Sequence, residues 1–194
     1  MDVDYYLLKR SLTGLDDECG DTGIIKIYGN ECFLALIDVV GHGKEAYAVS
    51  VLAETYLLEN YLSCLVDVMT GLHSLLKGTR GAVVALCRLN LITGEMNYVG
   101  VGNISTRIYG GQLSSFVPRD GIVGYTIATP KEHRVKLYNG DILILSSDGV
   151  KERFSLEHYP ELLNGTARKV AANLIDNLGK GDDDASCIVL RYGK

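Results

Sequence analysis

The run Phe33-Leu34-Ala35-Leu36-Ile37 is apolar at every position and stops abruptly on Asp38. A short continuous apolar run of this kind reads as a strand buried on both faces. Residues 23–28 before it are short and β-branched or apolar. Gly29-Asn30 between the two segments predicts a hairpin whose second strand is Glu31–Val39. After Gly41-His42-Gly43, the residues Ala46, Val49, Ala53, Tyr56 and Leu57 recur at helical spacing, which predicts a helix over 44–62. A second helix runs from about Leu65 to Leu76, with Gly71 weakening it by about 1 kcal/mol relative to Ala.

From Gly81 onward the character changes. Ala82–Asn90, Glu95–Val101, 106–109, 112–117, 132–138 and 141–146 read as strands, punctuated by Thr93-Gly94, Gly110-Gly111 and Asn139-Gly140. A short helix is expected over 150–158, a longer one over 165–178, and a final strand over Ala185–Tyr192. Strands and helices come in blocks and not in strict alternation, so the class is α+β, with helices covering mainly antiparallel sheet. A chain of 194 residues, 47% hydrophobic, suffices for one domain over 1–194 that buries roughly 70% of its unfolded surface.

Charge and cysteine usage narrow the function classes. The net charge is −5, and no block of five Lys or Arg occurs, which argues against nucleic acid and anionic membrane as partners. No apolar stretch approaches the ~20 residues that span a bilayer. Met1-Asp2-Val3-Asp4 is acidic, unlike the start of a signal peptide. The five cysteines are scattered, with no Cys-x-x-Cys pair, and Cys32, Cys87 and Cys187 sit in apolar runs as small hydrophobes. The expected location is the cytoplasm.

Carboxylates recur where strands meet loops. Asp38 ends the buried strand, Asp148 follows Ile142-Leu143-Ile144-Leu145-Ser146-Ser147, Asp182-Asp183-Asp184 precedes the last strand, and Asp21 precedes the first. Each alone reads as a turn former or cap. Four together at one sheet edge would repel one another without a cation. An oxygen-only set suits Mg²⁺ or Mn²⁺, and two such ions can activate water and neutralise a phosphoryl group. Gly41-His42-Gly43-Lys44 does not meet the P-loop pattern. Its glycines read as close backbone approach at a helix entry, where the N-terminus favours an anion such as a substrate phosphate. Gly100-Val101-Gly102-Asn103 lacks a third glycine and reads as a turn, while His73, His133 and His158 have no ligand-spaced partners and read as structural or surface.

The set Asp38-Val39-Val40-Gly41-His42-Gly43, Ser147-Asp148-Gly149-Val150 and Asp183-Asp184-Ala185-Ser186 resembles the landmarks of metal-dependent PPM (PP2C-type) serine/threonine phosphatases, in the family's order. Within that family it is similar to the short bacterial members of the SpoIIE and RsbU type. As a catalytic domain without an appended sensor it is most similar to the stressosome phosphatases of the RsbX group. The resemblance implies a four-layer α-β-β-α sandwich of two antiparallel sheets flanked by helices. It implies two Mn²⁺ or Mg²⁺ ions, with Asp38 bridging both, the backbone carbonyl of Val39 completing the shell of one, Asp148 on the first, Asp21 on the second, and Asp183 as the last ligand. Asp182 and Asp184 flank Asp183, so the register there stays open by one residue.

Two positions depart from the family pattern. Many eukaryotic members carry an Arg four residues before the early acid to hold the phosphate, and position 17 here is Asp. Lys9 or Arg10 are the candidate substitutes, set against a plain solvated basic pair. The proton-donating His two residues after the bridging Asp is replaced by Val40, leaving His42 as the candidate proton donor. The resulting expectation is a phosphoserine/phosphothreonine protein phosphatase acting on a phosphorylated regulatory protein, of the stressosome kind by resemblance, in bacterial stress signalling. The rival readings are a non-catalytic phosphoprotein-binding module and a small-molecule phosphomonoesterase.

Overall fold

The computed structural model describes residues 3–111, 113–151, 159 and 161–193. The short helix expected over 150–158 falls almost wholly outside these residues, as does His158. The hairpin predicted around Gly29-Asn30 forms as β2 (Asp21–Tyr28) and β3 (Glu31–Val39), after an N-terminal strand β1 (Val3–Arg10). Then come α1 (Lys44–Asn60), α2 (Leu65–Leu75), β4 (Ala82–Asn90), β5 (Glu95–Val101), β6 (Ser105–Tyr109) and β7 (Ser114–Ser115). A small hairpin of β8 (Gly121–Ile122) and β9 (Thr126–Ile127) precedes β10 (His133–Lys136) and β11 (Ile142–Ser146). The chain closes with α3 (Ala167–Leu178) and β12 (Ala185–Tyr192).

Two five-stranded sheets result, one ordered β10-β5-β4-β3-β2 and the other β1-β12-β11-β6-β7. Every strand pair within them is antiparallel. Side chains alternate faces along a strand, and β3 shows why its run is apolar throughout. Phe33, Ala35, Ile37 and Val39 pack with Ala46, Ala53 and Leu57 of α1 and Met69 and Leu72 of α2. Cys32, Leu34 and Leu36 face the other sheet and pack with Leu143, Leu145, Ile188 and Leu190. On the far side of that second sheet, Ile144, Cys187 and Val189 meet Val170, Ala171, Leu174 and Ile175 of α3. The α+β class and the α-β-β-α layering are thus as expected.

β1 escapes the sequence reading because only part of it is buried. Tyr6 and Leu8 lean on the α3 cluster, Val3 and Leu7 lean on the inter-sheet core, and Asp4, Tyr5 and Arg10 are exposed. Register with β12 from Val3↔Tyr192 to Arg10↔Ala185 makes it a strand, a pairing no local pattern encodes. Gly71 is tolerated in α2 because the Tyr56 hydroxyl fills the space a Cβ would need.

Candidate active site

Parity along the strands carries the acids to one place. Asp38 continues the series Cys32, Leu34, Leu36, so its side chain faces the gap between the sheets where β3 ends; Asp21 is its cross-strand partner. From the facing sheet, Ser147 and Asp148 extend β11, and Asp182–Asp184 lead into β12. Gly149 is required where these two segments cross: a Cβ there would collide with the Asp184 carbonyl. Asp38, Asp148, Asp182 and Asp183 line one cleft of about 650 Å³ together with Gly41, His42, Asn103, Asp120 and Ile122. No Lys or Arg is among the described residues that line it.

The electrostatics follow from that crowding. Burial pushes the Asp38 carboxyl up to about 9, and the fields of Asp21, Asp148, Asp183 and Asp184 push the same way. Asp183 is raised by burial, offset in part by a hydrogen bond from the Asp184 amide. Asp21 is raised by burial to about 6, moderated by the hydroxyls of Ser147 and Ser186. A divalent cation removes the repulsive part of these costs, and the donors are all oxygens, as Mg²⁺ and Mn²⁺ require. Among the described residues, no three His, Cys, Asp or Glu side chains close a shell around one ion as placed. A hard ion that keeps several waters is held directly by one or two carboxylates, which this cleft offers. The residues present fit such an ion.

Three hydrogen-bonded supports stand behind the cleft. Asn103 Nδ2 donates to Asp148 Oδ2 at 2.9 Å. The Ser186 amide donates to Ser147 Oγ at 3.0 Å, and that hydroxyl donates to Asp21 Oδ2 at 2.6 Å. Asp184 accepts from the amides of Leu12 and Gly20, each at 2.7 Å, so both its oxygens clasp the β1–β2 connection. That divides the triple-Asp run: Asp182 and Asp183 face the cleft, and Asp184 is structural.

The remaining sequence candidates fall as follows. Asp21 is only 1% exposed and lies beneath Asp38, not on the cleft wall. The Val39 side chain is in the helix-facing core, and Gly20 is pressed against the carbonyls of Val39 and Gly41, which a Cβ would approach to 3.3 and 2.9 Å. His42 is exposed on the cleft wall. Arg10 is exposed, and its guanidinium donates to the carbonyls of Ile175 at 3.4 Å and Lys180 at 3.0 Å, tying down the end of α3. Lys9 is half-buried opposite Ser186. Asn103, read in the sequence only as part of a turn, and Asp120 were not picked out there as site residues. Both sit in glycine-containing turns.

The chain matches the family model described as Stage II sporulation protein E (SpoIIE) over residues 29–193. Among solved structures, one reported under "The bacterial stressosome: a modular system that has been adapted to control secondary messenger signaling" is 30% identical. It has a TM-score of 0.90, with 98% of this chain and 100% of that chain covered. RsbX in complex with magnesium is 18% identical, with a TM-score of 0.86 and 98% and 96% of the two chains covered. The PP2C phosphatase domain of SpoIIE from Bacillus subtilis, with a fragment of its regulatory domain, is 19% identical at a TM-score of 0.80. There 98% of this chain and 63% of that chain are covered. No curated protein matches the sequence.

Proposed function

This chain belongs to the SpoIIE family of PP2C-type serine/threonine protein phosphatases, and we propose that it dephosphorylates phosphoserine or phosphothreonine on a stressosome-type regulatory protein. The observation that carries the reading is the convergence of Asp38, Asp148 and Asp183 on one cleft between the two sheets. The likeness to a stressosome structure and to RsbX supports the substrate class. All of residues 1–194 serve as a single phosphatase domain in this account.

Asp38, Asp148 and Asp183 are the residues that would hold two Mn²⁺ or Mg²⁺ ions, with Asp21 and the Val39 carbonyl beside them. Such ions, when bound, lower the pKa of a coordinated water and offset charge on phosphoryl oxygens. The chain's own contribution is positional. Asn103 fixes the orientation of the Asp148 carboxylate. Ser147 holds Asp21, and through it the start of β2 against the end of β11. His42, exposed on the cleft wall, is placed to pass a proton to the departing serine or threonine oxygen. Val40 and Ile122 supply apolar surface at the cleft, suited to a polypeptide flanking the phosphoresidue.

The test is a substrate panel at fixed Mn²⁺. Turnover of phosphoserine and phosphothreonine proteins, stressosome scaffold proteins foremost, should run far above that of sugar phosphates or nucleotides. A preference for the small molecules would replace this proposal with the phosphomonoesterase reading. Tight binding of phosphoprotein without any release of phosphate would replace it with the binding-module reading.

A further inference from the structure

We propose that Arg80 is the residue that contacts the substrate's phosphate at the rim of the cleft; the assignment rests on the phosphatase reading above. A phosphate monoester entering this cleft meets carboxylates on several sides, and no described lining residue is Lys or Arg. Arg10 is engaged at the end of α3. Arg80 stands beside Gly41 at the edge of the lining. Its Nη1 lies 2.8 Å from the position a Cβ on Gly41 would take, and Gly41 itself lines the cleft.

The backbone holds it there. The Val40 amide donates to the Gly81 carbonyl at 3.0 Å, and Ala82 and Val123 exchange two hydrogen bonds at 3.0 and 2.8 Å. Gly81 is in turn packed against Ile122 and Tyr125, so close that a Cβ would meet both within 3 Å. Arg80 therefore sits where two cleft-lining segments join, the loop after β3 and the β8–β9 hairpin.

The guanidinium is also oriented. Nε and Nη2 both donate to Glu45 Oε2 on α1, Nε at 3.1 Å. That leaves the Nη1 side turned toward Gly41, with no acceptor in place among the described residues. An Arg held by one edge presents a planar donor fork that suits phosphate oxygens. The pair is exposed, at 42% and 78% for the two side chains, so a ligand can reach it.

The experiment measures KM, kcat and the inhibition constant of inorganic phosphate for wild type, Arg80→Ala, Arg80→Lys and Arg119→Ala, using a phosphoserine peptide and p-nitrophenyl phosphate. Arg119 is the exposed arginine that bridges to Val101 and precedes cleft-lining Asp120. Arg80→Ala should raise KM and the phosphate inhibition constant together, by about 10- to 100-fold as expected for a lost charge-assisted hydrogen bond. It should act alike on both substrates while kcat stays within a few-fold and the melting temperature is unchanged. Arg80→Lys should recover part of the loss. Unchanged phosphate inhibition in Arg80→Ala, with the wild type active, overturns the assignment alone. An effect on the peptide but not on p-nitrophenyl phosphate overturns it too, since the contact would then be to the peptide. Loss in Arg119→Ala and not in Arg80→Ala moves the role to the β8 side. A wild type inactive on both substrates with Mn²⁺ overturns the phosphatase reading and this assignment with it.

Discussion

At Asp38 several unfavourable effects add: burial, the cross-strand carboxylate of Asp21, and the fields of Asp148 and Asp183 from the facing sheet. Asp183 and Asp184 show how one residue of chain separates two roles. Asp183 faces the cleft, and Asp184 turns inward to accept two backbone amides, one of them on buried Gly20. Asp183→Ala should lose nearly all activity while melting close to wild type. Asp184→Ala should lower stability by about 1.5–3 kcal/mol, because it strands the buried Gly20 N–H and removes the Leu12 bond to the same carboxylate. Denaturant melts beside activity assays check both, and equal effects in the two variants would remove the distinction. The positions of Asp38 and Asp148 were legible in the sequence because an apolar strand ran straight into each. The division within Asp182-Asp183-Asp184 was not, since it depends on where β12 begins pairing.

Among the elements, the crossing of the β11–Gly149 turn over the segment entering β12 sets the distance between acids of the cleft. Gly149→Ala places a Cβ against the Asp184 carbonyl, and that backbone must shift and carry Asp148 and Asp183 apart. Ser147→Ala removes the hydroxyl between Asp21 and the Ser186 amide. Loss of a group that orients a ligand typically costs 10- to 100-fold in metal affinity or activity, and Ser147→Ala should fall in that range when Mn²⁺ is titrated against rate. An unchanged titration would show that Ser147 only packs. At this scale the sequence revealed β3, β4, β11 and β12 through their unbroken apolar runs. It hid β1, whose half-exposed Val3–Arg10 acquires strand character only from pairing with β12. The place of Asn103 and Asp120 at the cleft was equally hidden, because they reach it through loop geometry and the placement of the β8–β9 hairpin.

For the molecule as a whole, the clustered acids make metal-free stability depend on pH. Between an ordinary carboxyl value of 3.8 and about 9, folded Asp38 keeps a proton that the unfolded chain has released. The native state then binds more protons than the unfolded state, so stability must fall as pH rises through that range. Asp21, raised to about 6, adds to the fall over its lower part. Metal-free protein should therefore melt at lower temperature at pH 8 than at pH 5.5, and Asp38→Asn should flatten the difference. Mn²⁺ should restore more stability at the higher pH, since binding requires the ionised carboxylates. A melting temperature that rises with pH in the absence of metal would contradict the crowding described for the cleft.

Phosphate release from a phosphoserine protein tests the central claim most directly, measured with Mn²⁺, with Mg²⁺ and with excess EDTA, beside an Asp38→Ala control. Release should occur with either metal ion, vanish in EDTA, and fall to background in Asp38→Ala with the fold retained. Release that persists in EDTA, or full activity in Asp38→Ala, would contradict that claim.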